Sequence, residues 1–157
     1  MSSQPNGPPT AENAHLHADF IAKSAKDISG ADLDYSPESL EQVDEIIEGF
    51  RQEGQSSESI SGTLFFFGCY VGEVFVRNVG AVWRNSEETP MKGVAGSPIV
   101  VELPGGSICN PVGKVFKRLE NGREDYLPYF YQVFAAQARG SEGTPVRNKK
   151  WWQFWKR

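Results

Sequence analysis

Glu73 is the residue best placed to do chemistry. It is a carboxylate inside an almost unbroken apolar run from Leu64 to Val79. A carboxyl taken out of water titrates high and can serve as a general acid or base. Arg77 follows one helical turn later and Tyr70 precedes it by three residues, so a small enzyme or ligand-binding protein with its site around Glu73 is one reading. The other is structural: an i,i+4 ion pair, or a pair with a base from another element, that fixes helix packing. The structural reading is preferred, because a buried charge needs a partner whatever else it does. Cys69 lacks an activating base, since the only histidines, His15 and His17, are two apart and point away from each other on a helix. His15, His17 and Asp19 do not complete a metal site either, because no further ligand cluster accompanies them. No catalytic residue is assigned beyond the candidate Glu73, and neither a cofactor nor a metal is expected.

Three groups of basic residues remain. The segment Gly106 to Lys114 has the flavour of a phosphate loop, but six residues separate Gly106 from Gly113, and Val115 stands where a Ser or Thr would hold magnesium. A hairpin turn followed by a helix start explains it better. Lys114, Lys117 and Arg118 share one face of a short helix, with Arg123 beyond, and form an anion-binding candidate for an acidic partner or a nucleic-acid backbone. The preferred alternative turns them to water or to the acidic second helix. The sharpest external feature is the tail, where Lys149, Lys150, Trp151, Trp152, Phe154, Trp155, Lys156 and Arg157 crowd together. Tryptophan favours membrane interfaces, and lysine and arginine favour anionic headgroups. The same residues suit a protein groove or fold back onto their own domain.

The elements that must position these residues fit one domain. The chain has 157 residues, 39% hydrophobic and 12% aromatic, enough for a single core. Two cysteines make no disulfide framework, and the first residues lack a signal-peptide pattern, so a cytoplasmic location is expected, peripheral to the inner membrane face if the tail meets lipid. The net charge of -4 makes nucleic acid an unlikely partner. Charge is uneven: residues 1–61 carry 12 acids and 3 bases, and residues 62–157 carry 8 acids and 13 bases.

The composition of residues 1–10 reads as a disordered lead, 11–140 as the domain, and 141–157 as a flexible basic-aromatic tail. A weak helix over 11–28 places Leu16, Phe20 and Ile21 on one side. Ser36 and Pro37 read as a cap and first helical position, followed by Leu40, Val43, Ile47 and Phe50 inward, with Glu41, Asp44, Glu45 and Glu48 largely outward. The stretch 58–79 is apolar nearly all round and reads as the central helix, where Gly68 and Gly72 leave a notch for another backbone. Strands follow at 81–84, 99–103 and 107–110, with Pro104-Gly105-Gly106 as a hairpin turn. Asn110-Pro111 starts a short helix ending at Asn121-Gly122, and a last helix spans 127–139. The fold class is α+β: about five helices around a central apolar helix, with a small antiparallel β-sheet.

Three blocks carry a resemblance: LDYSPESL at 33–40, the Gly68-Cys-Tyr-Val-Gly-Glu73 run within 65–83, and NPVGKVFKR opening the segment 110–131. Together they resemble a family of small uncharacterised bacterial proteins, a domain of unknown function with GxYxGE and NPxGKVxKR motifs. The likeness covers about residues 33–135 and implies a bacterial source and a shared fold, and supplies no mechanism. The function expected is a non-catalytic interaction or regulatory module, the immunity type among its forms, whose tail docks to an anionic membrane surface or to an unknown protein partner.

Overall fold

The computed structural model describes residues 9–94 and 96–140. Five helices are present among them: α1 (Ala14–Ser29), α2 (Leu40–Gln52), α3 (Ser61–Val79), α4 (Pro111–Asn121) and α5 (Leu127–Arg139). Strands β1 (Val82–Asn85), β2 (Ile99–Glu102) and β3 (Ile108–Cys109) form one antiparallel sheet in the order β1-β2-β3. The fold class is α+β, as the periodicity predicts.

Local chemistry sets the boundaries. Ser36 accepts a hydrogen bond from the Ser39 amide, Pro37 occupies the first position, and a 3-10 turn at Pro37–Ser39 leads into α2. At α4 the Asn110 side chain accepts from the Gly113 amide and Pro111 follows, so donors left without a helical partner are covered and the missing proline N–H costs nothing. Pro104, Gly105 and Gly106 turn β2 back into β3. Both glycines have positive φ there, and the Leu103 amide donates to the Ser107 carbonyl at 2.7 Å.

Helix α3 is the centre. It packs against α1, α4, α5 and the sheet, and Leu64, Tyr70, Val71, Val74 and Phe75 are wholly buried. The two glycines of its notch take different neighbours. A Cβ at Gly68 would lie 2.5 Å from the backbone Cα of Val112, so α3 and α4 touch there backbone to backbone. A Cβ at Gly72 would lie 2.2 Å from the Trp83 ring, which lies in the space the side chain vacates.

Two inferences about facing are corrected. Asp44 does not turn outward: it is fully buried beneath α4 and the start of α5. Leu16, expected on the inner side of α1 with Phe20 and Ile21, is 48% exposed; Ala14, Ala18, Ile21 and Ala25 form the buried stripe instead. Small alanines let α1 lie close against α3, and that contact fixes the helix rotation.

Candidate functional site

Glu73 is almost wholly buried, and both of its oxygens are engaged. Arg77 Nε donates to Oε1 at 3.0 Å and the Trp83 indole N–H donates to Oε2 at 2.9 Å. Arg77 also lies 3.6 Å above the Tyr35 ring centroid and 3.7 Å from Asp19 Oδ1. Tyr35 stacks on Tyr70, donates its hydroxyl proton to Asp19, and donates its backbone N–H to the Tyr70 hydroxyl oxygen. Since a backbone amide can only donate, the Tyr70 oxygen is the acceptor at 2.7 Å, and its own proton is available to Ser39 Oγ at 2.6 Å. Tyr35 holds φ of 67°, a left-handed conformation costly for a tyrosine, and Asn78 ties down its carbonyl. This web joins α1, the 35–39 turn, α3 and β1. Its residues fasten one another, and the i,i+4 pairing of Glu73 with Arg77 is the structural alternative set out for this carboxylate. The indole partner of Glu73 has no sequence signature, because Trp83 lies across a helix end and enters a strand.

The basic helix face divides. Lys114 is buried and its ammonium sits 2.6 Å from Asp125 Oδ1. Burial alone would raise the Asp125 carboxyl, but hydrogen bonds from Lys114 and Asn121 outweigh it and hold the pKa below the usual carboxylate value. Arg118 is wholly buried: Nε and Nη2 donate to the two oxygens of Asp44 at 2.9 and 3.1 Å, and Nη2 lies 2.9 Å from Glu48 Oε1. The anion-binding candidate is thus corrected for Lys114 and Arg118. They face carboxylates of their own chain, and those of α2 are the acidic second helix weighed as the alternative. Lys117 lies at intermediate exposure at the edge of a small pocket.

Cys69 and Cys109 are buried free thiols, and burial pushes both well above the ordinary range, away from thiolate chemistry. His17 is buried against Phe66, with ring centroids 5.3 Å apart and nearly parallel, and against Phe65 edge-on. Burial lowers its pKa. Among the described residues no group of three His, Cys, Asp or Glu could hold a metal ion. No helix among them is long and apolar enough to cross a membrane. The tail candidates Lys149, Lys150, Trp151, Trp152, Phe154, Trp155, Lys156 and Arg157 lie outside the described residues.

One feature that helical periodicity missed is an open apolar groove of about 680 Å³ between the second half of α1, the second half of α2 and the first turns of α3. Phe20, Ile28, Ile46, Phe50, Phe66 and Phe67 line it. Ile28 is 84% exposed at its rim, and Glu53 brings a carboxylate to the edge. The volume is that of a site for a drug-sized ligand or several side chains of a peptide. Two lining residues are glycines near helix ends, Gly49 in the last turn of α2 and Gly62 in the first turn of α3. Unlike Gly68 and Gly72, neither would bring a Cβ within 4 Å of another group.

The chain matches no family model, no curated protein and no solved structure.

Proposed function

We propose that this chain is a non-catalytic interaction module of regulatory type, cytoplasmic in location, that receives an apolar, aromatic-bearing peptide segment in the groove between α1 and α2. The groove carries this reading. It is an open apolar surface, whereas the ionic groups most suggestive of chemistry, Glu73, Lys114 and Arg118, are committed to partners inside the fold. Contiguous apolar surface of this kind marks an interaction site more often than it marks nothing. Phe20, Phe50 and Phe66 offer ring edges and faces, the usual lining of pockets that hold anchor side chains. The basic-aromatic tail is the second docking element of the proposal, directed to an anionic membrane surface or a partner protein.

The test is a photo-crosslinking amino acid placed at Gly49 in the full chain within its source cell, with the same group at the exposed Glu120 of α4, away from the groove lining, as control. The proposal expects one defined segment to crosslink from Gly49 and not from Glu120. Equal labelling from both positions, or none from Gly49, contradicts it.

A further inference from the structure

The lining of the groove selects among occupants. Nothing lies within 4 Å of where a Cβ would stand at Gly49 or Gly62, so the absent side chains leave its walls unfilled. Phe20, Phe50 and Phe66 line that space, and aromatic rings pair well with further aromatic rings, edge to face or offset. Glu53 is the one charged residue of the lining. A matched occupant carries several aromatic side chains with a base beside them. Residues 149–157 meet both conditions: Trp151, Trp152, Phe154 and Trp155 stand between the Lys149-Lys150 and Lys156-Arg157 pairs.

The fold sets how far that segment must travel. Helix α5 ends at Arg139, and Gln137 in its last turn donates to Ser107 Oγ beside the hairpin. Helix α3 ends there too, since a Cβ at Gly80 would lie 3.8 Å from Pro104 Cγ. The groove begins at Phe67, twelve residues before the end of α3 at Val79, or roughly 18 Å along the helix at 1.5 Å per residue. Gly62, its far lining residue on this helix, lies roughly 26 Å away by the same rise. The ten residues 141–150 precede Trp151 and span up to about 33 Å when fully extended. The tryptophans of a chain therefore reach the groove of that same chain, and the difference leaves room for a path around the helices. A tether of this length holds an attached segment at an effective concentration on the order of 1 mM. A second copy or a free peptide at micromolar concentration competes at a disadvantage of roughly 100-fold or more.

We propose that the groove is covered by segment 149–157 of its own chain, so that a partner peptide enters only by displacing it. This rests on the groove being a docking site and adds its regulation. The covering segment is a tethered competitor: it shields the aromatic lining from water and removes the tryptophans from water in the same step. Only a peptide with higher intrinsic affinity for the groove, or a ligand that takes the tail away, opens the site.

The experiment uses the purified full chain with the photo-crosslinker at Gly49, prepared with light and with heavy isotopes and mixed in equal amounts. Peptide mapping should link position 49 to residues 149–157 with the same label on both peptides only, in a yield unchanged by dilution. The triple variant Trp151→Ala, Trp152→Ala and Trp155→Ala alters only residues beyond α5, so it keeps the described fold and leaves the groove open. A free peptide of sequence 149–157 should bind the triple variant and bind the natural chain roughly ten-fold more weakly or worse, because there it must displace a tethered competitor. Adding Gly62→Lys to the triple variant, where the space is open to a side chain, should abolish that binding. Links that join one label to the other put the segment of a second copy in the groove and overturn the proposal. It is equally overturned by a purified chain with no link to 149–157, or by a natural chain that binds the free peptide as tightly as the triple variant. A triple variant that binds no peptide, or binds it as well with Gly62→Lys, overturns it too. The reading of the groove as a docking site fails separately, on the absence of any crosslink from Gly49 in the source cell.

Discussion

Replacing Arg118 by Met tests the buried charge network that joins α2 to α4. The guanidinium is fully enclosed and makes two hydrogen bonds to Asp44, whose Oδ1 also receives the Leu127 amide. Methionine keeps the length and apolar stem of the side chain, so packing is largely preserved and the charge is what is lost. Asp44 is then left as a buried carboxylate with the Leu127 amide and the more distant Arg123 guanidinium, 3.6 Å away and largely in solvent. Removing one partner of a buried ion pair costs about 3–5 kcal/mol, a large part of the roughly 5–15 kcal/mol that holds a domain of this size. At a few degrees per kcal/mol, the melting temperature should fall by roughly 10–15 °C. Urea unfolding measures the free energy and thermal unfolding the melting temperature, each followed by circular dichroism. The double variant Asp44→Leu with Arg118→Met removes both charges and should recover part of the loss, because an apolar pair can replace a buried ion pair at little net cost, while the Leu127 amide and Glu48 each lose a partner and keep the recovery incomplete. A single variant that loses less than about 1 kcal/mol would refute the reasoning, since that is the value of a pair exposed to water.

Three further perturbations follow from the same geometry. Gly72→Ala gains up to about 1 kcal/mol of helix propensity but drives a methyl group into the Trp83 ring. Overpacking of about 1–3 kcal/mol should win and lower the urea midpoint. Glu73→Gln keeps the shape of the side chain and loses the charge paired with Arg77, so stability should fall by about 1–3 kcal/mol, while peptide crosslinking from Gly49 stays unchanged. His17 gives a pH dependence. Its folded pKa lies below the ordinary 6.5, so the unfolded chain takes up its proton first. The stability it contributes is fully present above pH 6.5 and is lost as pH falls from there through the lower folded value. His17→Phe should flatten stability between pH 7 and pH 5; an unchanged slope in that variant would show that His17 is not its source.

The fold was legible because its signals were local. Ser36-Pro37 and Asn110-Pro111 mark helix starts by capping chemistry, Pro104-Gly105-Gly106 marks the hairpin, and the apolar run around Phe67 and Val71 identifies α3 as the central helix. The facing of Asp44 was not legible, because hydropathy places a charge outward unless its partner is known, and Arg118 is 74 positions away. The partners of the basic face were concealed likewise: Arg118 meets Asp44 across those 74 positions, and Lys114 meets Asp125 eleven positions on, beyond the end of its own helix. The Glu73–Arg77 pair was legible as an i,i+4 relation; the third member, Trp83, was not, since it depends on the space left by Gly72. The groove escaped for a different reason. Phe20, Ile46, Phe50 and Phe66 carry the apolar signature of a core, and only the rotations of α1 and α2 against α3 leave them lining an opening.

The groove as the docking surface of this molecule is tested most directly by the photo-crosslinker at Gly49 in the full chain, read by peptide mapping against the Glu120 control. The account predicts a single crosslinked segment, apolar and aromatic-bearing, and its loss when Gly62→Lys fills the groove. Crosslinks that are absent, or scattered equally from Gly49 and Glu120, would contradict it.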